Sequence, residues 1–314
     1  EDENFNCSNA VTLVNIKTGK CTELAPLKKP RYDCPSIVVN KILFVFGGYK
    51  GDAWIFPRTL KDVEMLDLSD FDFSSSSNQR RQFQLLENHP LPRPLSFATL
   101  VADGNFIYVI GGFSDRVSVN TVYRFNVANY KWFQLPPMNV ARRGAMGVLW
   151  KNYLIVLGGW NKSDGYLSSI ETFRLNNNHD GRQDPNKKNE SLSSWKLVDK
   201  ANFLPEERAY GLAILLGDGQ LILAGGMGSD GKWLTTCCRH GNIGAIVNNK
   251  SDNNATNESR GRGGGGFTTH SFPPFPGSTE WIISIAVTPT CLAFVTWESE
   301  LYRLDMESNL ELVT

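Results

Sequence analysis

A Gly-Gly pair that follows a short apolar run recurs four times in the chain and restricts the possible folds more than any other feature. The four stretches are ILFVFGG (42–48), FIYVIGG (106–112), YLIVLGG (153–159) and LILAGG (221–226). Runs of about five β-branched and aromatic residues between turn formers are typical of strands buried on both faces. Glycine adopts backbone angles that are closed to other residues and lets neighbouring chain segments approach closely. The chain is therefore predicted to use one supersecondary unit several times.

The same order of strands recurs around each pair. Strands rich in small residues precede the pairs: PSIVV (35–39), SFATLV (96–101), GAMGVLW (144–150) and YGLAILL (210–216). Strands with period-two alternation follow them: VEMLDL (63–68), VYRFNV (122–127) and IETFRL (170–175). Fourth strands come next: FQLL (83–86), KWFQL (131–135) and SWKLV (194–198). A four-stranded unit repeated about every 50 residues predicts a β-propeller.

One stretch, residues 119–175, carries nearly every mark of a known repeat. It contains the Gly-Gly pair, an aromatic residue in the third strand, a Trp about seven residues later and a Leu-Pro-Pro-Met-x-x-x-Arg link. The chain thus resembles the kelch-repeat β-propellers over roughly residues 10–235, and it is most similar to the propellers of BTB–kelch proteins. The resemblance implies an all-β fold of six blades, each with four antiparallel strands.

The blades can be counted along the chain. Complete units are predicted at about 34–88, 94–138, 142–204 and 208–275, followed by 281–314 without a Gly-Gly pair and preceded by a half blade at 10–27. We predict one propeller domain over residues 1–314. One blade would be completed from both chain ends or would need residues beyond Thr314, since sheet edges need protection. The first residue is Glu1, so either a leader was removed or the chain is an excised piece of a longer protein, and the blade count favours the excised piece.

Three polar insertions are predicted to lie on one face of the propeller. They cover residues 69–81, 176–194 and 248–266, are rich in Ser, Asn and Gly, and fall between the third and fourth strands of their blades. The opposite face carries the loops between second and third strands and the links between blades. We expect that face to bind the partner. The alternative is that insertions accumulate wherever they do least harm.

An arginine occurs in each link, and an aromatic residue follows three of the Gly-Gly pairs. The candidate arginines are Arg31, Arg93, Arg142 and Arg208. The candidate aromatic residues are Tyr49, Phe113 and Trp160. Ring closure would place these side chains around one opening, and Arg, Trp and Tyr dominate protein-binding hot spots. The resemblance to BTB–kelch propellers implies that the arginines grip a short acidic peptide. The alternative for the arginines is a salt bridge or backbone cap between blades, and for the aromatic residues it is the core.

The sequence shows no catalytic motif. The four histidines (His89, His179, His240 and His270) form no ligand pattern, and no nucleophile elbow, zincin motif or phosphate loop is present. The aspartates that recur after the Gly-Gly pairs (Asp52, Asp115, Asp164 and Asp230) are predicted to cap loops. The repeat aromatics Trp132, Trp195, Tyr123 and Phe173 are predicted to be core. We expect no enzyme activity, no cofactor and no metal.

The balance of 32 basic and 32 acidic residues predicts neither nucleic acid nor a membrane as partner. The six cysteines have no regular spacing, which favours reduced thiols and a cytoplasmic location. The expected function is protein–protein interaction, and the resemblance implies the substrate-recognition propeller of a BTB–kelch adaptor for a cullin-RING ubiquitin ligase. The alternatives are an actin-binding cytoskeletal protein and a secreted, glycosylated or carbohydrate-related propeller. Six glycosylation sequons, Asn6, Asn161, Asn189, Asn249, Asn254 and Asn257, keep the last alternative open, but about three or four would arise by chance in a chain this rich in Asn and Ser.

Overall fold

The computed structural model describes most of the chain, with gaps. The described residues are 7–15, 20–50, 58–69, 81–175, 194–200, 203–217, 219–234, 236–248, 266–271, 282–288, 291–296, 301–305 and 310–312. The chain divides into two compact units. The N-terminal unit comprises residues 1–15 and 20–135, and the C-terminal unit comprises residues 16–19 and 136–314.

The N-terminal unit is built of short strands. They are β1 (Thr12–Val14), β2 (Cys21–Glu23), β3 (Ser36–Val39), β4 (Ile42–Phe46), β5 (Tyr49–Lys50), β6 (Arg58–Thr59), β7 (Val63–Asp67), β8 (Gln84–Leu85), β9 (Thr99–Asp103), β10 (Phe106–Ile110), β11 (Phe113–Ser114), β12 (Val117–Ser118), β13 (Val122–Asn126) and β14 (Lys131–Leu135). Two four-stranded antiparallel sheets result, with orders β3-β4-β7-β8 and β9-β10-β13-β14, beside the pairs β1-β2, β5-β6 and β11-β12.

The C-terminal unit repeats this plan and adds one short helix. Its elements are β15 (Met146–Trp150), β16 (Tyr153–Leu157), β17 (Trp160–Asn161), β18 (Gly165–Tyr166), β19 (Ile170–Arg174), β20 (Lys196–Leu197), β21 (Leu212–Leu215), β22 (Leu221–Ala224), β23 (Thr236–His240), α1 (Ile243–Asn248), β24 (Phe267–Ser271), β25 (Ile282–Thr288), β26 (Cys291–Thr296), β27 (Leu301–Asp305) and β28 (Leu310–Leu312). Three antiparallel four-stranded sheets result, with orders β15-β16-β19-β20, β21-β22-β23-β24 and β25-β26-β27-β28, beside the pair β17-β18.

The strand plan agrees with the sequence prediction, and the all-β class is confirmed. Strands two to four of each Gly-Gly unit follow one another across their sheets in sequence order. The described residues of 281–314 form four strands although this stretch lacks a Gly-Gly pair, and the described residues of 10–27 contribute the pair β1-β2. The domain limits, the single domain and the count of six blades stay predictions.

The core of the N-terminal unit lies between its two large sheets. Phe44 and Phe46 of β4 contact Phe125 of β13 edge-on, with ring centroids 5.9 and 5.8 Å apart. Ile107 and Val109 of β10 join the same cluster, and all five side chains are buried. The core therefore forms as the period-two alternation of the strands predicts, because every second side chain of the inner strands faces the adjacent sheet.

The repeat aromatics are core, as predicted. Tyr123 is 6% exposed, and Phe173 and Trp195 are each 5% exposed. Trp132 is half-buried and packs on the same cluster as Phe44. Its indole nitrogen donates a hydrogen bond to the carbonyl oxygen of His89 at 3.2 Å.

Residues 235–247 depart from the repeat in sequence, and their described part forms strand β23 and most of helix α1. Strand β23 pairs with β24 across the connection that carries the third insertion. Helix α1 begins that connection and buries Ile243 and Ile246 against the apolar side chains of β16 and β22. The described insertion borders thus lie between third and fourth strands, as predicted; the insertions themselves lie mostly outside the described residues.

The first Gly-Gly pair shows why the motif is needed. Gly47 and Gly48 both have positive φ, 54° and 92°. A Cβ on Gly47 would lie 2.1 Å from the carbonyl oxygen of Leu95, and one on Gly48 would lie 2.7 Å from the Cβ of Cys34. A Cβ on Gly158 would likewise lie 2.3 Å from the carbonyl oxygen of Arg208. The pair thus leaves room for the two neighbouring links to pass against the strand end.

Candidate functional site

Each link is joined to the loop after its Gly-Gly pair by an antiparallel bridge. The bridged pairs of the first to fourth links are, in order, Tyr32–Tyr49, Ser96–Phe113, Arg143–Trp160 and Ala209–Met227. In the first pair, the two backbone N–H···O hydrogen bonds measure 2.8 and 3.1 Å. Tyr49, Phe113 and Trp160 therefore occupy equivalent positions beside a link, and their contact with a partner stays a prediction. We call the end of each sheet that carries these links and loops the link–loop end.

Three of the four candidate arginines lie under this end and not on it. The side chains of Arg31 and Arg142 are 0% exposed, as are those of their ion-pair partners Glu64 and Glu171. Arg208 is also fully buried. The prediction that these arginines line an opening and contact a partner is corrected by the structure, because their guanidinium groups are out of a partner's reach.

The buried arginines anchor links to the Gly-Gly pairs instead. Arg142 donates from Nη1 to the carbonyl oxygen of Gly158 at 2.6 Å and from Nη2 to Glu171 Oε1 at 2.8 Å. Arg31 does the same with the carbonyl oxygen of Gly47, at 2.8 Å, and with Glu64. Burial lowers the pKa of Arg142 while the Glu171 charge opposes this shift, and arginine remains a cation throughout. This is the alternative interpretation, a salt bridge with a backbone cap.

The strand glutamates also hold the link backbone. Glu171 accepts hydrogen bonds from the backbone N–H groups of Asn139 and Val140 at 2.7 and 3.0 Å. Glu64 accepts the equivalent bonds from Lys28 and Lys29 at 2.7 and 3.2 Å. Each carboxylate thus receives charged and neutral donors, which a buried carboxylate requires.

The second link lacks this anchor, because neither the buried arginine nor the strand glutamate is present. Leu95, which precedes the bridged Ser96, takes the position of Arg31 and Arg142, and it is 1% exposed. Tyr123 pairs with Val109 at the strand position that Glu64 and Glu171 occupy. Arg93 is therefore not equivalent to the other three arginines.

The fourth link uses a different carboxylate. Cys238 stands at the strand position of the glutamates, and Arg208 pairs with Glu206 of its own link. A proline lies three residues before the buried link position in the second and fourth links, at Pro92 and Pro205. In the links of Arg31 and Arg142, whose strands carry glutamate, the residue at this position has a backbone N–H group that donates to the glutamate. In the second and fourth links the residue is proline, which has no N–H group. This sequence signal could have identified Arg31 and Arg142 as paired with a strand glutamate, but it does not identify the buried Arg208.

Arg93 lies at the surface and holds a loop. Its side chain is 28% exposed, and its Nη2 donates to Asp115 Oδ2 at 3.0 Å. Its Nε donates to the hydroxyl oxygen of the buried Ser114 at 3.1 Å. Arg93 thereby braces the β11–β12 hairpin, and a partner contact by Arg93 stays a proposal.

Aromatic rings group around Tyr49 in the N-terminal unit. Tyr49 stacks on Tyr32 with centroids 5.2 Å apart and contacts Phe97 and Phe113 at 5.9 and 6.2 Å. Tyr49 is only 7% exposed, whereas its three neighbours are half-buried. Tyr49 therefore supports the cluster, and the other three rings provide its accessible area. We call Tyr32, Tyr49, Phe97 and Phe113 the aromatic cluster.

Arg143 is the link arginine that the sequence interpretation passed over in favour of its neighbour. Its guanidinium lies over the Trp160 ring, 4.2 Å from the centroid. Its Nε donates to the Tyr210 hydroxyl oxygen at 2.9 Å. All three side chains are half-buried. Successive residues of an extended segment point to opposite sides, so Arg142 and Arg143 could not both face a partner. We call Arg143, Trp160 and Tyr210 the arginine cluster.

Comparison with known proteins identifies the family. The family model described as "KLHDC2/KLHL20/DRC7 Kelch-repeats domain" matches residues 1–226. The chain belongs to this kelch-repeat family. Its fold is therefore an all-β kelch propeller, a protein-interaction module, and the resemblance inferred from the Gly-Gly repeat is confirmed.

Curated relatives share segments of the kelch chain. The Rho GTPase-activating protein gacHH of Dictyostelium discoideum is 34% identical over 94 residues, which are 28% of this chain and 6% of that protein. Kelch-like protein 13 of Homo sapiens is 33% identical over 87 residues, 26% of this chain and 13% of that protein. Kelch domain-containing protein 10 of Xenopus laevis is 27% identical over 185 residues, 53% of this chain and 42% of that protein. The chain thus spans less than half the length of each of these relatives.

One glycosylation sequon of the kelch chain is built into a loop. Asn161 is 6% exposed. Its Nδ2 donates to the carbonyl oxygen of Ala141 at 3.0 Å and to Asp164 Oδ2 at 2.9 Å. Its Oδ1 accepts the N–H groups of Ser163 and Asp164. A glycan on this buried nitrogen would replace one of its two hydrogens and so remove at least one donor contact, and the fold therefore argues against glycosylation here. The other sequons lie outside the described residues: Asn6, Asn189, Asn249, Asn254 and Asn257.

The loop aspartates that are described act as expected. Asp164 accepts from Asn161 and Asp115 accepts from Arg93. Asp230 Oδ1 accepts the N–H of Lys232 at 2.9 Å. Asp52 lies outside the described residues.

The described part of the kelch chain groups no three His, Cys, Asp or Glu side chains as metal ligands. Of the histidines, His89 contacts Tyr130 and His240 contacts Phe267, and His179 lies outside the described residues. Within the residues searched, helices are all too short or too polar to cross a membrane.

Cys34 is a half-buried thiol with a raised pKa. Burial raises the pKa of Cys34 to about 11, so at pH 8 only about one thiol in a thousand is the reactive thiolate. Cys21 is exposed. We expect iodoacetamide at pH 8 to alkylate Cys21 in the folded protein while Cys34 stays unmodified, as read by peptide mass mapping. Both should react in urea. Rapid alkylation of Cys34 in the native state would contradict its burial.

Proposed function

We propose that this kelch propeller is the substrate-recognition part of a BTB–kelch adaptor of a cullin-RING ubiquitin ligase and that it captures its partner at the link–loop end. The proposal is supported by membership of the kelch family and by the match to Kelch-like protein 13. The single observation that carries the choice of surface is the arginine cluster, which presents a stacked Arg, a Trp and a Tyr together.

The arginine cluster has the chemistry of a binding hot spot. Trp, Tyr and Arg supply most of the energy at protein interfaces. Stacking on Trp160 fixes the plane of the Arg143 guanidinium, so less side-chain entropy is lost when a partner binds. Arg143 and Trp160 belong to bridged segments, which hold their backbones in place. Such a preorganised cation suits a carboxylate or a peptide carbonyl on the partner.

The aromatic cluster extends this chemistry within the N-terminal unit. Tyr32, Phe97 and Phe113 are half-buried around the buried Tyr49. Partly exposed rings on a fixed support provide apolar contact area at low entropic cost. The two clusters occupy equivalent link and loop positions, and we assign them to the same function.

Arg143→Ala is expected to reduce recovery of substrate partners about tenfold, because it removes the preorganised cation. The melting temperature should stay within a few degrees, since Arg143 is half-buried. The measurement is quantitative mass spectrometry of proteins that co-purify with the full-length protein from cells. Arg174→Ala is the matched control, because Arg174 is exposed at the end of β19 away from the link–loop end.

The same experiment separates the alternatives. Cullin should be recovered equally with wild type and both variants, because its binding would not use the propeller. Absence of cullin from the wild-type sample would contradict the adaptor role. Partner recovery that Arg143→Ala leaves unchanged would contradict the surface. Co-sedimentation with actin filaments that is insensitive to Arg143→Ala would favour the cytoskeletal alternative instead.

A further inference from the structure

The β11–β12 hairpin has a tight turn of an unfavourable composition. Phe113 pairs with Ser118 and Ser114 pairs with Val117, which leaves Asp115 and Arg116 as a two-residue loop. Both loop residues have positive φ, 50° and 67°. This is the signature of a type I′ turn, which favours Asn-Gly or Asp-Gly. Arginine at the second position is therefore strained, since its Cβ approaches the following carbonyl oxygen.

Other loops of the same kind avoid this strain. The loop after Trp160 places Gly165, φ 75°, in the left-handed region, and the loop after Met227 places Gly231 there, φ 74°. Among the described loops between second and third strands, the β11–β12 hairpin is the one without a glycine at such a position. Arg116 thus stands where the other described loops have a glycine, and a strained residue in a loop of the binding end is a candidate for a functional role.

The tip of the hairpin exposes an apolar side chain beside a cation. Val117 is 54% exposed. The described residues include two other exposed large apolar side chains, Val38 of β3 and Leu197 of β20, and neither belongs to a loop that follows a Gly-Gly pair. Arg116 is exposed as well. Val117 is therefore unusual both in its exposure and in its position.

The charge of the tip is positive. Asp115 is paired with Arg93 at 3.0 Å, so their charges cancel, and Arg116 adds one positive charge. Arg93 also donates to Ser114, and this bracing keeps the base of the hairpin in place. A braced turn with an apolar side chain and an adjacent cation can enter a pocket without being ordered first.

We propose that the β11–β12 hairpin is a docking wedge, in which Val117 enters an apolar pocket of a protein partner and Arg116 pairs with a carboxylate on the pocket's rim. This inference rests on the proposed function, because it places the wedge at the end of the sheets assigned to partner binding. It adds that the partner has a concave surface. The wedge requires a folded protein with a pocket, which a short extended peptide would not provide.

The contact is tested with a photo-crosslinking residue in the full-length protein. p-Benzoylphenylalanine replaces Val117, and in separate samples Trp160 or Lys41, before irradiation in cells. Lys41 is the matched control, because it also has positive φ, 63°, in a two-residue turn, but this turn joins β3 to β4 at the opposite end of the sheet. Position 117 should yield an adduct with a folded partner, and position 41 should not.

The partner identified in the adduct is then titrated as a purified protein against two glycine variants. Arg116→Gly and Lys41→Gly should each raise the Tm by about 2 °C, since both relieve a strained left-handed residue. Only Arg116→Gly should weaken binding, by about tenfold. A variant that becomes more stable and binds less well cannot have lost affinity through unfolding.

The outcomes separate the wedge from the proposed function. An adduct at position 160 without one at position 117 would overturn the wedge and leave the binding surface intact. Wild-type affinity in Arg116→Gly would overturn the wedge as well. No adduct from position 117 or 160 would count against both. An adduct at 117 with tenfold weaker binding of Arg116→Gly supports both.

Discussion

Arg142→Ala should lower the free energy of unfolding by about 3–5 kcal/mol, the cost of leaving a buried partner charge unpaired. Glu171 would keep its backbone donors but lose the Nη2 bond, and the Gly158 carbonyl oxygen would lose Nη1. Arg143→Ala, one residue further on, should cost less than about 1 kcal/mol, as expected for a partly exposed side chain. Denaturant unfolding followed by circular dichroism measures both.

This contrast tests the reassignment of the link arginines. If Arg142→Ala kept the wild-type midpoint, the guanidinium would not be the anchor described. A partial rescue is also expected: adding Glu171→Leu to Arg142→Ala removes the unpaired charge and should recover part of the lost stability. The second link supports this, since its Leu95 and Tyr123 occupy the same two positions without charge.

Gly47→Ala should be the more severe of two glycine substitutions at equal backbone geometry. Gly47 and Gly104 both have φ 54°. A Cβ on Gly47 would lie 2.1 Å from the Leu95 carbonyl oxygen, whereas a Cβ on Gly104 meets nothing within 4 Å. The shared left-handed strain costs about 1 kcal/mol. Displacing the Leu95 backbone should add at least about 2 kcal/mol at Gly47, as overpacking typically does.

Thermal unfolding of the two alanine variants against wild type measures the difference. The destabilisation of Gly104→Ala measures the backbone strain that both variants share. Subtracting it from the destabilisation of Gly47→Ala leaves the cost of the steric conflict with the link. Equal melting temperatures for the two variants would show that the link can move away without cost. That result would contradict the close approach on which the Gly-Gly interpretation depends.

The sequence predicts the strands well because their signal is local. Alternation, Gly-Gly pairs and turn formers lie within each unit, and β4, β10, β16 and β22 begin at the predicted residues. The sheet of residues 281–314 could be predicted from apolar periodicity alone. Helix α1 was not predicted, since its six residues are too few for a helical period to stand out.

The site was harder to predict because burial depends on residues far along the chain. Arg31 and Arg142 are each paired in the core with a glutamate some 30 residues later, whereas Arg208 pairs with Glu206 of its own link. Matching the links by their arginines placed Arg93 in a set to which it does not belong, whereas Leu95 is the equivalent residue. The prolines at 92 and 205 and the glutamates at 64 and 171 were visible, but their meaning required the hydrogen bonds.

Because Arg142 is buried and its neighbour Arg143 is accessible, this scaffold is suitable for engineering binders to new targets. One residue fixes the course of the connection from within, and the next is displayed to solvent, so the displayed one can be exchanged without disturbing the frame. A combinatorial library should therefore vary Arg143, Trp160 and Tyr210 while keeping Arg31, Arg142 and Arg208 constant. Selected clones would inherit a loop geometry that does not depend on what their varied positions contain.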